Sequence, residues 1–126
     1  MSFRTPLGRA RGLGSAKEGT RHWTAQRLSA IALVPLTLWF AVSVLIYLRA
    51  DYLTVFNWLH TPWVAVLLVL LVGTLYYHAY LGLQVVIEDY VHDEWLKVSI
   101  LVLLKFLCVL LAAAGIFVVL RVAFGG

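Results

Sequence analysis

The sequence predicts an all-α integral membrane protein with three transmembrane helices. Of its 126 residues, 63% are hydrophobic and 13% charged; the apolar residues gather into three long runs, and the charges lie mainly before and between them. A soluble chain of this size carries about 45–50% apolar and about 25% charged residues. One small core cannot hide the surplus, whereas a helix crossing a bilayer absorbs about 20 apolar residues.

Residues 1–27 hold Arg4, Arg9, Arg11, Lys17, Arg21 and Arg27 against one acid, Glu18, with Pro6, Gly8, Gly12, Gly14 and Gly19 interspersed. Their composition predicts a flexible basic tail. The single membrane domain is then expected over 28–126. Leu28–Leu48 is the first uncharged run, closed by Arg49 and Asp51, with Pro35 about two turns inside as a candidate kink. Arg49–Pro62 forms a mixed connection in which Tyr52, Trp58 and His60 suit a headgroup interface. The second span is expected over 63–87, where His78 is the strongly polar ring, and the third over 98–120, interrupted by Lys105. Between them, EDYVHDEWLK carries four of the six acids and is short enough to make these spans an antiparallel hairpin.

Six of the ten Lys and Arg residues precede the first span, so the N-terminus is expected on the cytoplasmic side. The acidic connection then lies on the same side as the basic tail. That topology explains the net charge of +4 better than a nucleic-acid surface does. A transit peptide is the alternative for the Arg-rich, acid-poor tail.

Several chemistries are excluded by composition. The lone Cys108, set in LCVLLAAAG, can neither form an internal disulfide nor supply an iron–sulfur cluster, and reads as a packing residue. There is no glycine-rich phosphate loop, HExxH or GxSxG. Redox chemistry would need a borrowed cofactor.

An ionisable ring within a span is costly unless it is used or paired. His78 therefore has two readings, a ligand to haem iron through a neutral imidazole or an interhelical hydrogen bond. At 100° per residue, Gly82, Val85 and Asp89 share its helix face. Gly82 would admit either a flat macrocycle or a neighbouring helix. His92, among Asp89, Asp93 and Glu94, is a poor second ligand on the same chain. Tyr90 would donate a hydrogen bond to a quinone carbonyl or belong to the interfacial aromatic belt. Glu88, Asp93 and Glu94 read as solvated, and Lys105 as a snorkelling cation.

The run from His78 through HAYLGLQVVIE to Asp89, Tyr90 and VH resembles the D-type hydrophobic membrane anchor of succinate dehydrogenase, respiratory complex II, in its alphaproteobacterial and mitochondrial branch. The resemblance implies that His78 is an axial ligand of haem b, the other ligand coming from a second anchor, the cytochrome b subunit. Tyr90 would bind ubiquinone, with Asp89 in a supporting role. Arg27, or else Arg21 or His22, would meet the haem propionates. The flavin and iron–sulfur clusters would belong to a flavoprotein and an iron–sulfur subunit, so this chain alone is not expected to be an enzyme. Its helices would form part of a bundle shared between subunits in a bacterial inner membrane, with the mitochondrial inner membrane as the alternative. Three other roles stay open: a cofactor-free structural or assembly protein, an anchor of a related fumarate reductase, and a small transporter using His78 and Lys105 as a proton relay.

Overall fold

The computed structural model describes residues 13–125, with side chains from Thr20 onward. Four helices follow in order: α1 Leu13–Tyr47, α2 Tyr52–Leu59, α3 Pro62–Tyr90 and α4 Glu94–Phe124. There is no strand among the described residues. Three of the helices, α1, α3 and α4, are long and apolar enough to cross a membrane.

Each of these helices outruns the apolar stretch that announced it. Charge marks where hydrocarbon ends; the helix continues into the polar zone because each added residue extends a nucleus already formed. The largest correction concerns the basic tail: Leu13–Arg27 is helical and continuous with the first span. Gly14 and Gly19 are tolerated there because the span supplies the nucleus, and Pro6, a true breaker, lies among residues 1–12, outside the described residues. Pro35 sits inside α1 without ending it. The expected loop between the first two spans contains α2, with Asp51 as its N-cap, accepting from the Thr54 amide at 3.3 Å and from the Thr54 hydroxyl. These bonds favour the ionised carboxylate and hold the Asp51 pKa below its ordinary value. Only residues 91–93 separate α3 from α4, so that hairpin is tighter than its acidic stretch suggested.

In the membrane layer α3 is central, packing on α4 along one side and on α1 along the other, while α1 and α4 share no comparable interface. The result is an open row of helices with little interior: Leu33, Val64, Ala65, Leu71 and Leu81 are its buried apolar residues. Leu103, Phe106 and Leu110 on α4 are each at least 65% exposed, which only lipid or another protein can cover. At the end away from the α3–α4 connection, Trp39, Trp58, Trp63 and Tyr47 form a cluster, with Tyr47 stacked on Trp58 at 4.8 Å between ring centres. Such a belt suits the interface with water.

The α3–α4 seam depends on one close approach. A Cβ at Gly115 would lie 3.0 Å from Cγ1 of Val72. Gly115→Leu is therefore expected to force the helices apart and destabilise the fold by about 1–3 kcal/mol, read as a lower unfolding midpoint in detergent; an unchanged midpoint would show that the seam is looser than this distance requires.

Candidate functional site

The polar groups of the membrane region meet on the other side of α3. Ser29 of α1 is buried and its hydroxyl oxygen lies 2.8 Å from Nδ1 of His78 on α3. The same hydroxyl lies 3.0 Å from the carbonyl oxygen of Gln26, one turn back on its own helix. The contact occupies Nδ1 of His78 and leaves Nε2 as the nitrogen with which the ring would bind a metal. An open groove of about 510 Å³ runs beside this contact, lined by Ala25, Leu28, Ser29, Ala32, Gly73 and others. Its lining mixes the small Ala25, Ala32 and Gly73 with the larger Leu28 and Tyr77.

Gly82, one turn after His78, has the Gln26 amide nitrogen 3.8 Å from where its Cβ would be. Of the two readings of Gly82, the geometry shows close packing of a neighbouring helix. The pair of contacts also fixes the antiparallel register of α1 on α3. His22 comes level with Val85 and Val86, and the turn of α1 before Thr20 comes level with Asp89 and Tyr90. Among the described residues, Nε2 of His22 and Oε1 of Gln26 are buried without a hydrogen-bond partner, a cost normally offset by a ligand, an ion or water. His22 as a whole is half-buried, whereas Arg27 is exposed, with its guanidinium over the Trp23 ring at 5.5 Å. Arg21 is exposed as well.

Tyr90 ends α3 and is 79% exposed, beside an exposed Asp89. About 18 Å of helix separates Tyr90 from His78, at 1.5 Å per residue. His92 falls in the break between α3 and α4, so it shares no continuous helix with His78. Asp93 has a structural use: it caps α4 by accepting from the Trp95 amide at 3.1 Å. Lys105 lines a cavity of about 400 Å³ between α3 and α4 with Tyr76, Tyr77, Tyr80 and Cys108. Gly73 and Tyr77 border both this cavity and the groove beside Ser29. Among the described residues, no three His, Cys, Asp or Glu side chains cluster as a metal cage; an axial imidazole needs no such cluster.

Ser29 was not singled out from sequence. Thr37 and Ser43 lie in the same span and look equivalent to it, yet each bonds the carbonyl of its own preceding turn, Leu33 and Trp39. Only the register of α1 on α3 distinguishes Ser29.

These features define a class: a small polytopic membrane subunit with one imidazole within the membrane and exposed polar groups at the end of the same helix. The family described as the succinate dehydrogenase/fumarate reductase transmembrane subunit matches residues 1–112. The succinate dehydrogenase hydrophobic membrane anchor subunit of Rickettsia bellii is 37% identical over 114 residues, 90% of this chain and 91% of that protein. The protein of the same description from Paracoccus denitrificans is 32% identical over 114 residues, 90% of this chain and 88% of its own. A succinate dehydrogenase membrane anchor subunit of Reclinomonas americana is 30% identical over 96 residues, 74% of this chain and 80% of its own. No solved structure matches significantly. The chain belongs to the succinate dehydrogenase/fumarate reductase transmembrane subunit family.

At the opposite end of the layer, His60 does more than the interfacial loop position implied. Its Nδ1 faces the Phe56 carbonyl at 2.7 Å and its Nε2 the Gly125 carbonyl at 2.9 Å. Two acceptors call for two N–H donors, which only the imidazolium has. Accordingly the Gly125 bond first, and the Phe56 bond second, raise the His60 pKa above 6.5. Because the folded value is the higher one, the clip between α2 and the end of α4 is fully stabilising below about 6.5 and weakens as pH rises through the raised value. Nuclear magnetic resonance of the His60 ring is expected to show a midpoint above 6.5 that falls back toward the ordinary range when Gly125 and Gly126 are both deleted; a midpoint at or below 6.5 in the intact protein would remove the clip.

Proposed function

We propose that this chain is a membrane anchor of a succinate:ubiquinone oxidoreductase, holding the soluble dehydrogenase at the bilayer and forming part of the site where ubiquinone is reduced. The supporting observation is the oriented His78 within the spans, on the helix whose last residue is the exposed Tyr90. Family membership supports an assembly with partner subunits, which in this reading would be a flavoprotein, an iron–sulfur subunit and a second anchor of cytochrome b type. The N-terminus and the α3–α4 connection would face the cytoplasm of a bacterium, with the protein in the inner membrane.

The donor set fits a shared haem b. His78 would supply one axial ligand through Nε2, the second anchor would supply the other, and His22 with Arg27 are this chain's groups for the propionates. Arg27 would have to leave Trp23 to reach them. When bound, haem b offers a one-electron couple within the membrane. At the surface, the Tyr90 hydroxyl would donate to a quinone carbonyl and stabilise the negative charge that develops there on reduction. Asp89 would have a supporting role beside Tyr90. The exposure of Tyr90 leaves its hydroxyl free for quinone and for the partner subunits that would close the site.

The Ser29–His78 hydrogen bond is equally what a cofactor-free structural subunit would use, so haem content separates the two readings. In the purified complex, His78→Ala is expected to lose most b-type haem absorbance while flavin content stays constant; a retained haem spectrum would end the ligand assignment. Tyr90→Phe is expected to lower quinone reduction at least tenfold, about 1.4 kcal/mol, with succinate oxidation by an artificial acceptor preserved. Unchanged quinone turnover would take Tyr90 out of the site. A fumarate reductase would share these responses and differ in its favoured direction.

A further inference from the structure

We propose that Ser29 is the positioning residue for His78, holding its imidazole as the Nδ1–H tautomer so that Nε2 carries the lone pair that binds iron. The inference rests on the haem reading above and concerns this chain's own atoms. Ser29 has one hydroxyl proton and two neighbours, the Gln26 carbonyl at 3.0 Å and His78 Nδ1 at 2.8 Å. The carbonyl has no proton to give. For both contacts to be hydrogen bonds, Ser29 must donate to Gln26 and accept from Nδ1–H of His78. The opposite arrangement, with the hydroxyl donating to a bare Nδ1, would put the proton on Nε2 and block it as a ligand.

Three features make this orientation persistent. The Gln26 carbonyl belongs to the preceding turn of the same helix, so its place relative to the hydroxyl is set by α1 itself. Ser29 is only 6% exposed, so bulk water does not compete for the hydroxyl. The Gln26 side chain packs over Gly82, one turn beyond His78, which keeps α1 and α3 in the register that the contact needs. A hydrogen bond from Nδ1–H also draws that proton toward oxygen, making the ring a better electron donor to a metal on Nε2 and fixing its plane. Better donation favours ferric over ferrous iron, so Ser29 lowers the potential of the haem.

The test uses the complete four-subunit complex with Ser29→Ala, Ser29→Thr, Ser29→Cys and His78→Ala, each normalised to flavin content. The readouts are haem retention, the electron paramagnetic resonance signal of the low-spin haem, and the midpoint potential. Ser29→Ala is expected to shift the potential upward and to weaken haem retention by about tenfold or more, with an altered resonance signal. Ser29→Thr, which keeps the hydroxyl, restores all three. Ser29→Cys, whose sulfur accepts weakly, shifts the potential in the same direction as alanine and serves if the alanine variant does not assemble. Wild-type potential and retention in the alanine or cysteine variant, alongside haem loss in His78→Ala, would overturn the role of Ser29 while leaving His78 as ligand. Haem retained in His78→Ala would overturn both.

Discussion

Hydrocarbon offers no hydrogen-bond partner, and that constraint organises this molecule. Every polar side chain carried into the membrane must find its partner within protein. Thr37 and Ser43 turn their hydroxyls to the carbonyls of their own helix, the cheapest solution and one that links nothing. Ser29 reaches a second helix as well, and its partner His78 is an ionisable ring near the middle of α3. Removing the imidazole would therefore leave the hydroxyl its local bond to Gln26. Removing the hydroxyl would leave Nδ1 of His78 with no partner on α1.

An open row of helices creates the complementary problem. With α3 in the centre and α1 and α4 apart, both faces of the layer stay uncovered, and the chain buries few of its own apolar side chains. Lipid can cover such faces. The unpartnered buried atoms of His22 and Gln26 are different in kind, since lipid tails cannot satisfy an imidazole nitrogen or an amide oxygen. The polar side of the row is where a partner subunit or a cofactor gains most by binding, and it is the side that carries His78. This is why a chain with so few ligating groups makes physical sense as one component of a larger assembly.

How much was legible in the sequence follows from what each signal measures. Long apolar runs located all three spans, because hydrophobic length is a direct response to bilayer thickness. Helix ends were less visible: charge reports the edge of the hydrocarbon, so the helical stretch Leu13–Arg27 was read as tail and α2 as loop. His78 stood out because an ionisable ring is rare within a span, and Asp89 and Tyr90 through the resemblance of the run that joins them to it. Ser29 and Gln26 did not, since a serine or glutamine near a span end is ordinary until a partner helix sets its register. The propionate candidates show the same limit. Arg27 and His22 are five residues apart and similar as sequence, yet one is exposed over Trp23 and the other is half-buried with Nε2 unpartnered.

The two seams of α3 divide the labour of holding the layer together. Toward α4 the contact is apolar and close, with Val72 against Gly115; dispersion gives adhesion there but discriminates weakly between neighbouring registers. Toward α1 a hydrogen bond of fixed length joins Ser29 to His78, and a slip of one helical turn, about 5.4 Å, would break it and take from Nδ1 of His78 its partner on α1. The polar seam thus sets register while the apolar seam supplies area. Register fixed at Ser29 propagates along a stiff helix, so one contact within the membrane determines which part of α1 stands beside Asp89 and Tyr90 at the surface. The helical extension before Thr20 is in this way tied to the proposed quinone end of α3 by a hydrogen bond some three turns away.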